Sequence, residues 1–115
     1  MKSHKDLTVY KKSVDLVVDI YQISRSFPEV EKFGLTGQIR RASVSVSSNI
    51  AEGAARSSKK EFIRFLYISL GSVAEIETQL EIASRLDFIK ENPKVAEKII
   101  YIRRMILKLI QSLKE

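Results

Sequence analysis

The chain has 115 residues, 44% of them hydrophobic and 30% charged, with a formal net charge of +6. This length buries roughly two thirds of the unfolded surface in a single domain spanning residues 1–115, and the composition excludes a disordered chain. The lack of cysteine excludes disulfides and thiolate metal sites and fits a reducing compartment.

Four glycines and two prolines leave few breaks, which favours a few long helices over many short strands. The segment Met1 to Asp6 lacks the apolar core of a signal peptide. No apolar run approaches the roughly 20 residues of a membrane span. A cytoplasmic protein without membrane contact is the expectation.

The first helix is predicted over about residues 8–26, capped by Thr8 or Asp6. Leu7, Val14, Val17 and Tyr21 form one stripe, and Val9, Leu16, Ile20, Ile23 and Phe27 a second, giving a wide apolar face. Pro28 ends it, because the residue before proline avoids helical angles. The second helix is predicted over about residues 35–55, with Leu35, Ile39, Ala42, Val46, Ile50 and Gly53 at steps of three and four. Gly53 stands near its end, where glycine can also turn left-handed. The third, about residues 59–86, opens on a capping box, Ser58 with Glu61. Phe62, Phe65 or Leu66, Ser69, Val73, Ile76, Leu80 and Ala83 carry its seam. The fourth, about residues 93–113, has Asn92 as cap and Pro93 in the first helical position. Val95, Ile99, Ile102, Ile106, Leu109 and Leu113 alternate steps of four and three along it. Long helices with short connections predict an all-α, antiparallel up-down-up-down four-helix bundle.

The most distinctive stretch is Gln38 to Arg64. It contains Arg40-Arg41, a run of small residues, Asn49-Ile50-Ala51-Glu52-Gly53 and a basic turn from Arg56 to Lys60. Up-down topology puts this turn at the same end as both chain termini. The charge excess is +3 in residues 1–12, +2 in 52–64 and +1 in 108–115, which accounts for the whole net charge. Such a basic pole suits a phosphate backbone through counterion release, though surface lysines also serve solubility alone. Arg56, Lys59, Lys60 and Arg64 are the candidate nucleic-acid-binding residues, supported by Lys11 and Lys12. No aromatic residue lies in the Arg56–Lys60 turn to stack a base, so sequence-specific single-strand readout is not supported.

Other polar positions read as structure or interface. Ser43, Ser47, Ala51 and Ala54 follow one helical line, suited to close packing inside the bundle or to a subunit interface. The second and fourth helices carry more apolar or small surface than one core needs, which points to an oligomer. Asn49 and Glu52 read as a buried hydrogen-bonded pair that fixes register, or as partners of Arg40, Arg41 or another subunit. Gly71 in mid-helix costs about 1 kcal/mol relative to alanine, which a close helix crossing would explain. Glu75, Glu77 and Glu81 read as a solvated face, since a carboxylate metal site in a bundle normally adds histidine, and His4 is the only one. No cofactor or metal is expected. Without a cysteine nucleophile, a histidine beside a serine or a phosphate-cradling glycine loop, no enzyme is expected either.

Leu7-Thr8-Val9-Tyr10, Phe27-Pro28, Gln38 to Ala42, Ser45, Asn49 to Gly53, Arg56, and Gly71-Ser72 with Glu75, Glu77 and Leu80 resemble the 23S rRNA-intervening sequence proteins. The resemblance runs from about Leu7 to Leu113. Its most specific part is Asn49–Gly53 with the upstream Arg40-Arg41-Ala42. That family is similar to the accessory protein of diversity-generating retroelements, a basic pentameric barrel that binds nucleic acid and a reverse transcriptase. The resemblance implies a four-helix bundle, a homopentamer and nucleic-acid binding. It implies no defined enzymatic activity and does not make the protein a ribosomal component. The expected function is a non-catalytic homo-oligomer that binds RNA or DNA through its basic pole. Arg40 and Arg41 would line an inter-subunit channel or form salt bridges. The alternative is an interaction scaffold that docks an acidic protein partner.

Overall fold

Four long helices form where the periodicity predicts them: α1 over Thr8–Ile23, α2 over Leu35–Ala54, α3 over Lys59–Arg85 and α4 over Pro93–Lys114. They belong to a computed structural model that describes residues 3–115, the side chain of Asp6 excepted. Lys2 of the basic N-terminus and the capping role open to Asp6 therefore fall outside the described residues. No strand occurs among those residues.

The helix ends follow local chemistry, with three departures from expectation. Leu7 is the N-cap of α1 and makes no side-chain cap bond, so Thr8 is the first helical residue and not a cap. The last turn predicted for α1 tightens into a 3-10 helix at Ser24–Ser26. Phe27 then turns extended (φ −67°, ψ 145°) ahead of Pro28, as the proline ring requires. At the start of α3, Ser58 Oγ accepts the Glu61 N–H at 3.1 Å. The return half of the box is missing, because the Glu61 carboxylate binds Arg64 instead. At α4, Asn92 Oδ1 accepts the Val95 N–H at 3.2 Å, with Pro93 placed as predicted.

The end of α3 carries no glycine. Asp87 takes the left-handed position (φ 61°). The amides of Asp87 and Phe88 donate to the carbonyls of Ser84 and Ala83 at 3.0 and 2.9 Å. This is the paired bonding of a Schellman turn, and aspartate is among the few side chains that tolerate it.

Interhelical contacts settle the direction of each helix. Ser69 Oγ of α3 donates to Val46 O of α2, and Ser72 Oγ to Ser45 Oγ, each at 2.9 Å. Arg103 of α4 pairs with Glu77 of α3, and Lys114 reaches Tyr67. Lys98 pairs with Asp19 of α1, and Ser26 Oγ donates to Phe88 O. Arg40 of α2 donates to Ser24 Oγ. For α2–α3, α3–α4 and α4–α1 one number rises as the other falls, which sets α2 opposite to α1 as well, so α1, α2, α3 and α4 form an antiparallel ring. The bundle measures 44 × 25 × 19 Å.

The core is the predicted one. Leu16, Ile20, Ile39, Val46, Leu66 and Ile106 are fully buried at its centre. The face of α1 is narrower than the wide one expected: Val14 and Tyr21 stand exposed, as α1 packs chiefly on α2 and α4.

Candidate nucleic-acid interface

The antiparallel ring brings the start of α1, the α2–α3 turn and the end of α4 to one end of the bundle. Two contacts fasten this end. Gly53 of α2 lies directly against Phe62 and Phe65 of α3. Lys114 Nζ donates to Tyr67 Oη at 3.2 Å and sits over that ring.

Phe65, which the sequence places only on the seam of the third helix, has a second role here. It is buried, with the Arg56 guanidinium 4.9 Å and the Arg64 guanidinium 4.7 Å from its ring centroid. Each arginine also holds a carboxylate: Arg56 pairs with Glu52 at 3.3 Å and Arg64 with Glu61 at 3.0 Å. Cation–π contacts at exposed sites contribute about 0.5–1 kcal/mol each. The two guanidinium planes are thus positioned by ring and carboxylate together, and locally neutralised. Each uses one of its five N–H donors on the carboxylate and keeps the others available. No sequence signal announces this, because residues 56 and 65 meet only after the α2–α3 turn folds.

Local pairing leaves the excess charge of the turn on Lys59 and Lys60. Both are exposed, and neither has an ion pair or hydrogen-bond partner among the described residues. They occupy the first turn of α3, where the positive end of the helix dipole adds to their field. Lys11, exposed, and Lys12, half-buried, lie in the first turns of α1 at the same end and are likewise unpaired among the described residues.

The remaining candidates lie elsewhere and act in packing. Arg40 and Arg41 form no salt bridge among the described residues, against one expectation for them. Arg40 Nε donates to Ser24 Oγ at 2.8 Å, and its guanidinium lies 4.6 Å from the Tyr21 ring centroid. Arg41 is exposed. Ser43 and Ser47 are buried and bond back to the carbonyls of Arg40 and Val44. Asn49 and Glu52 do not pair with one another. Asn49 Nδ2 donates to Ser45 O and Oγ at 2.8 and 3.0 Å, so the polar link to α3 runs through Ser45 and Ser72, while Glu52 turns to Arg56. Gly53 has no left-handed conformation; its role is close packing. Gly71 is exposed, with nothing within 4 Å of a β-carbon placed there, so no helix of this chain crosses it.

Of the acidic residues read as a solvated face of α3, Glu77 pairs with Arg103 and Glu81 with Arg85, while Glu75 is exposed and has no ion-pair partner among the described residues. Among the described residues no group of three or more metal-ligating side chains comes together, and no helix is long and apolar enough to cross a membrane.

A profile of the family described as 23S rRNA-intervening sequence protein matches residues 5–108. No curated protein matches the chain. Among solved structures, the chain is similar to a 1.70 Å crystal structure of a protein with unknown function from the S23 ribosomal protein family of Bacteroides thetaiotaomicron. The two share 27% identity and superpose with a TM-score of 0.79, over 90% of this chain and 98% of the other.

Proposed function

Since this chain belongs to the 23S rRNA-intervening sequence protein family, we propose that it is a non-catalytic, homo-oligomeric bundle that binds RNA or DNA through its lysine pole. The observation that carries this reading is the division of labour around Phe65. Arg56 and Arg64 are oriented and neutralised, whereas Lys59 and Lys60 beside them are uncompensated and exposed. The lysines supply counterion release, which is indifferent to base sequence. The arginines, already held in place, offer their spare N–H groups to phosphate oxygens with little further loss of freedom. With Phe65 buried beneath them, no aromatic face at the turn is free to stack a base.

The test is a salt titration of binding to a structured RNA and to duplex DNA, for the native protein and for Lys59→Glu with Lys60→Glu. For duplex DNA each phosphate contact contributes about 0.9 to the slope of log K against log salt. The double reversal is therefore expected to weaken binding and to flatten that slope by about 2 per bound subunit. Unchanged binding would remove the pole from the mechanism. Absence of binding by the native protein at low salt would leave the alternative, a scaffold that docks an acidic protein partner.

A further inference from the structure

Gln38 of α2 and a strip of α3 from Gly71 to Ile82 border an open depression of about 330 Å³. Gln79 forms part of its wall. This residue is only 7% exposed, and its Oε1 is buried without a hydrogen-bond partner among the described residues. The rest of the amide is unbonded there as well. A buried acceptor in this state is costly, and it stands beside an open space. The last torsion of a glutamine side chain is soft, so the amide can turn its oxygen toward the depression.

Glu75, Thr78 and Gln79 stand at i, i+3 and i+4, which makes them neighbours on the surface of α3. What they leave free is a set of acceptors. The Glu75 carboxylate is exposed and unpaired among the described residues, and it is the one charged group bordering the depression. Thr78 Oγ1 donates its proton to Ala74 O at 3.0 Å, so its lone pairs remain to accept. Arg41, on the same stretch of α2 as Gln38, leans back over Gly37, with Nη1 3.0 Å from the place of a β-carbon there. One turn further toward the start of α3 the wall becomes small and apolar. Ala74 is exposed, and nothing lies within 4 Å of a β-carbon placed on Gly71.

We propose that this depression binds a primary alkylammonium ion. The ammonium head carries three N–H donors and no acceptor, which matches the carboxylate of Glu75, the hydroxyl of Thr78 and the amide oxygen of Gln79. A four-carbon stem lies over Ala74 and Gly71, as lysine stems lie on apolar surface. The glycine leaves that place empty. The depression is at the small end of ligand sites, which run from about 300 to 1,000 Å³, and so suits a small aliphatic amine. Glu75 repels anions from the same place. The head group is common to a free aliphatic diamine and to a lysine side chain, and the test separates these sources. The site is distinct from the lysine pole, since Gln79 lies about 30 Å along α3 from Lys59 at 1.5 Å per residue.

The experiment is an NMR titration of the isotope-labelled full chain at constant ionic strength, without nucleic acid. The probes are diaminobutane and, separately, acetyl-lysine methylamide. Saturable shifts of the Gln79 side-chain amide and of the backbone amides from Gly71 to Gln79 are expected, with a Kd on the order of 1 mM or tighter. The tighter probe identifies the source. Butyltrimethylammonium has the same charge but no N–H donor, and it is expected not to saturate the site. Glu75→Gln and Gln79→Met are each expected to weaken binding by about tenfold or more, the loss for a hydrogen bond to a charged group. Gln79→Met removes an unsatisfied acceptor and stays folded, so its effect on binding is not an effect on folding. Gly71→Leu fills the place of the stem and is expected to weaken binding as well. Lys59→Glu with Lys60→Glu is expected to bind the amine as the native protein does, which separates this site from the nucleic-acid pole. Absence of saturation, an equal response to the trimethylated probe, native affinity in Gln79→Met, or shifts spread over carboxylates elsewhere such as Glu29 and Glu97 would each overturn the proposal.

Discussion

A β-carbon on Gly53 would lie 2.7 Å from the Cβ of Phe65. The end of α2 therefore rests on the start of α3 with no room for even a methyl group. Phe65 in turn carries Arg56 and Arg64 on its ring. The glycine thus sets the height of the platform that aims both guanidiniums.

Gly53→Ala is expected to destabilise the fold by about 1 kcal/mol. Overpacking of this kind costs roughly 1–3 kcal/mol, against about 1 kcal/mol regained in helix propensity. The clash falls on a Cβ and on the Phe62 carbonyl, 3.3 Å away, and neither can swing aside. Urea unfolding of the variant checks the loss.

Gly71→Ala is expected to act in the opposite direction. With open space over Gly71, alanine gains helix propensity without a clash, stabilising the chain by about 0.5–1 kcal/mol. A rise in the urea midpoint at unchanged m-value would confirm it; a fall would show that something does cross this helix face.

Gln79 is buried, and its Oε1 has no hydrogen-bond partner among the described residues. An acceptor left in this state costs about 1–3 kcal/mol. Gln79→Met keeps the length of the side chain and removes the acceptor, so a gain of about 1 kcal/mol is expected. Loss of stability on thermal or urea unfolding would mean that the amide has a partner in solution.

Lys98 and Asp19 tie α4 to α1 with side chains only 27% and 25% exposed. Arg85 and Glu81 are 79% and 65% exposed on one helix. A double-mutant cycle is expected to return a coupling of about 1 kcal/mol or more for the first pair and under about 0.5 kcal/mol for the second. Raising the salt concentration should erase the second and spare most of the first. Equal couplings would contradict the burial argument.

Much of the fold was legible because helix ends are written locally. Pro28, Ser58 and the Asn92-Pro93 pair each act on the backbone within a turn, and α2, α3 and α4 end within a residue of expectation. The end of α1 ran three residues short, since the chain tightens before a proline in a way that periodicity does not encode. The poles were legible too: once the helices are antiparallel, connection length alone brings residues 8, 54, 59 and 114 to one end.

The candidate site was legible in membership but not in roles. Arg56, Lys59, Lys60 and Arg64 were found as a cluster of charge, yet which of them stay uncompensated depends on Glu52, Glu61 and the face of Phe65. Spacing offers Asn49 a partner in Glu52, in Arg40 or Arg41, or in another subunit; within the chain it bonds Ser45.

Periodicity, caps and short connections act along the chain, so they prescribe the set of helices, their antiparallel order and the pole that gathers the charge. How far each helix is turned about its own axis is a property of the packed bundle. That rotation exposes Val14 and Tyr21, seats Gly53 on Phe65 while leaving Gly71 open, and strips Lys59 and Lys60 of partners. It is set by how four neighbouring surfaces interlock, a many-body packing balance that no single stretch of residues contains.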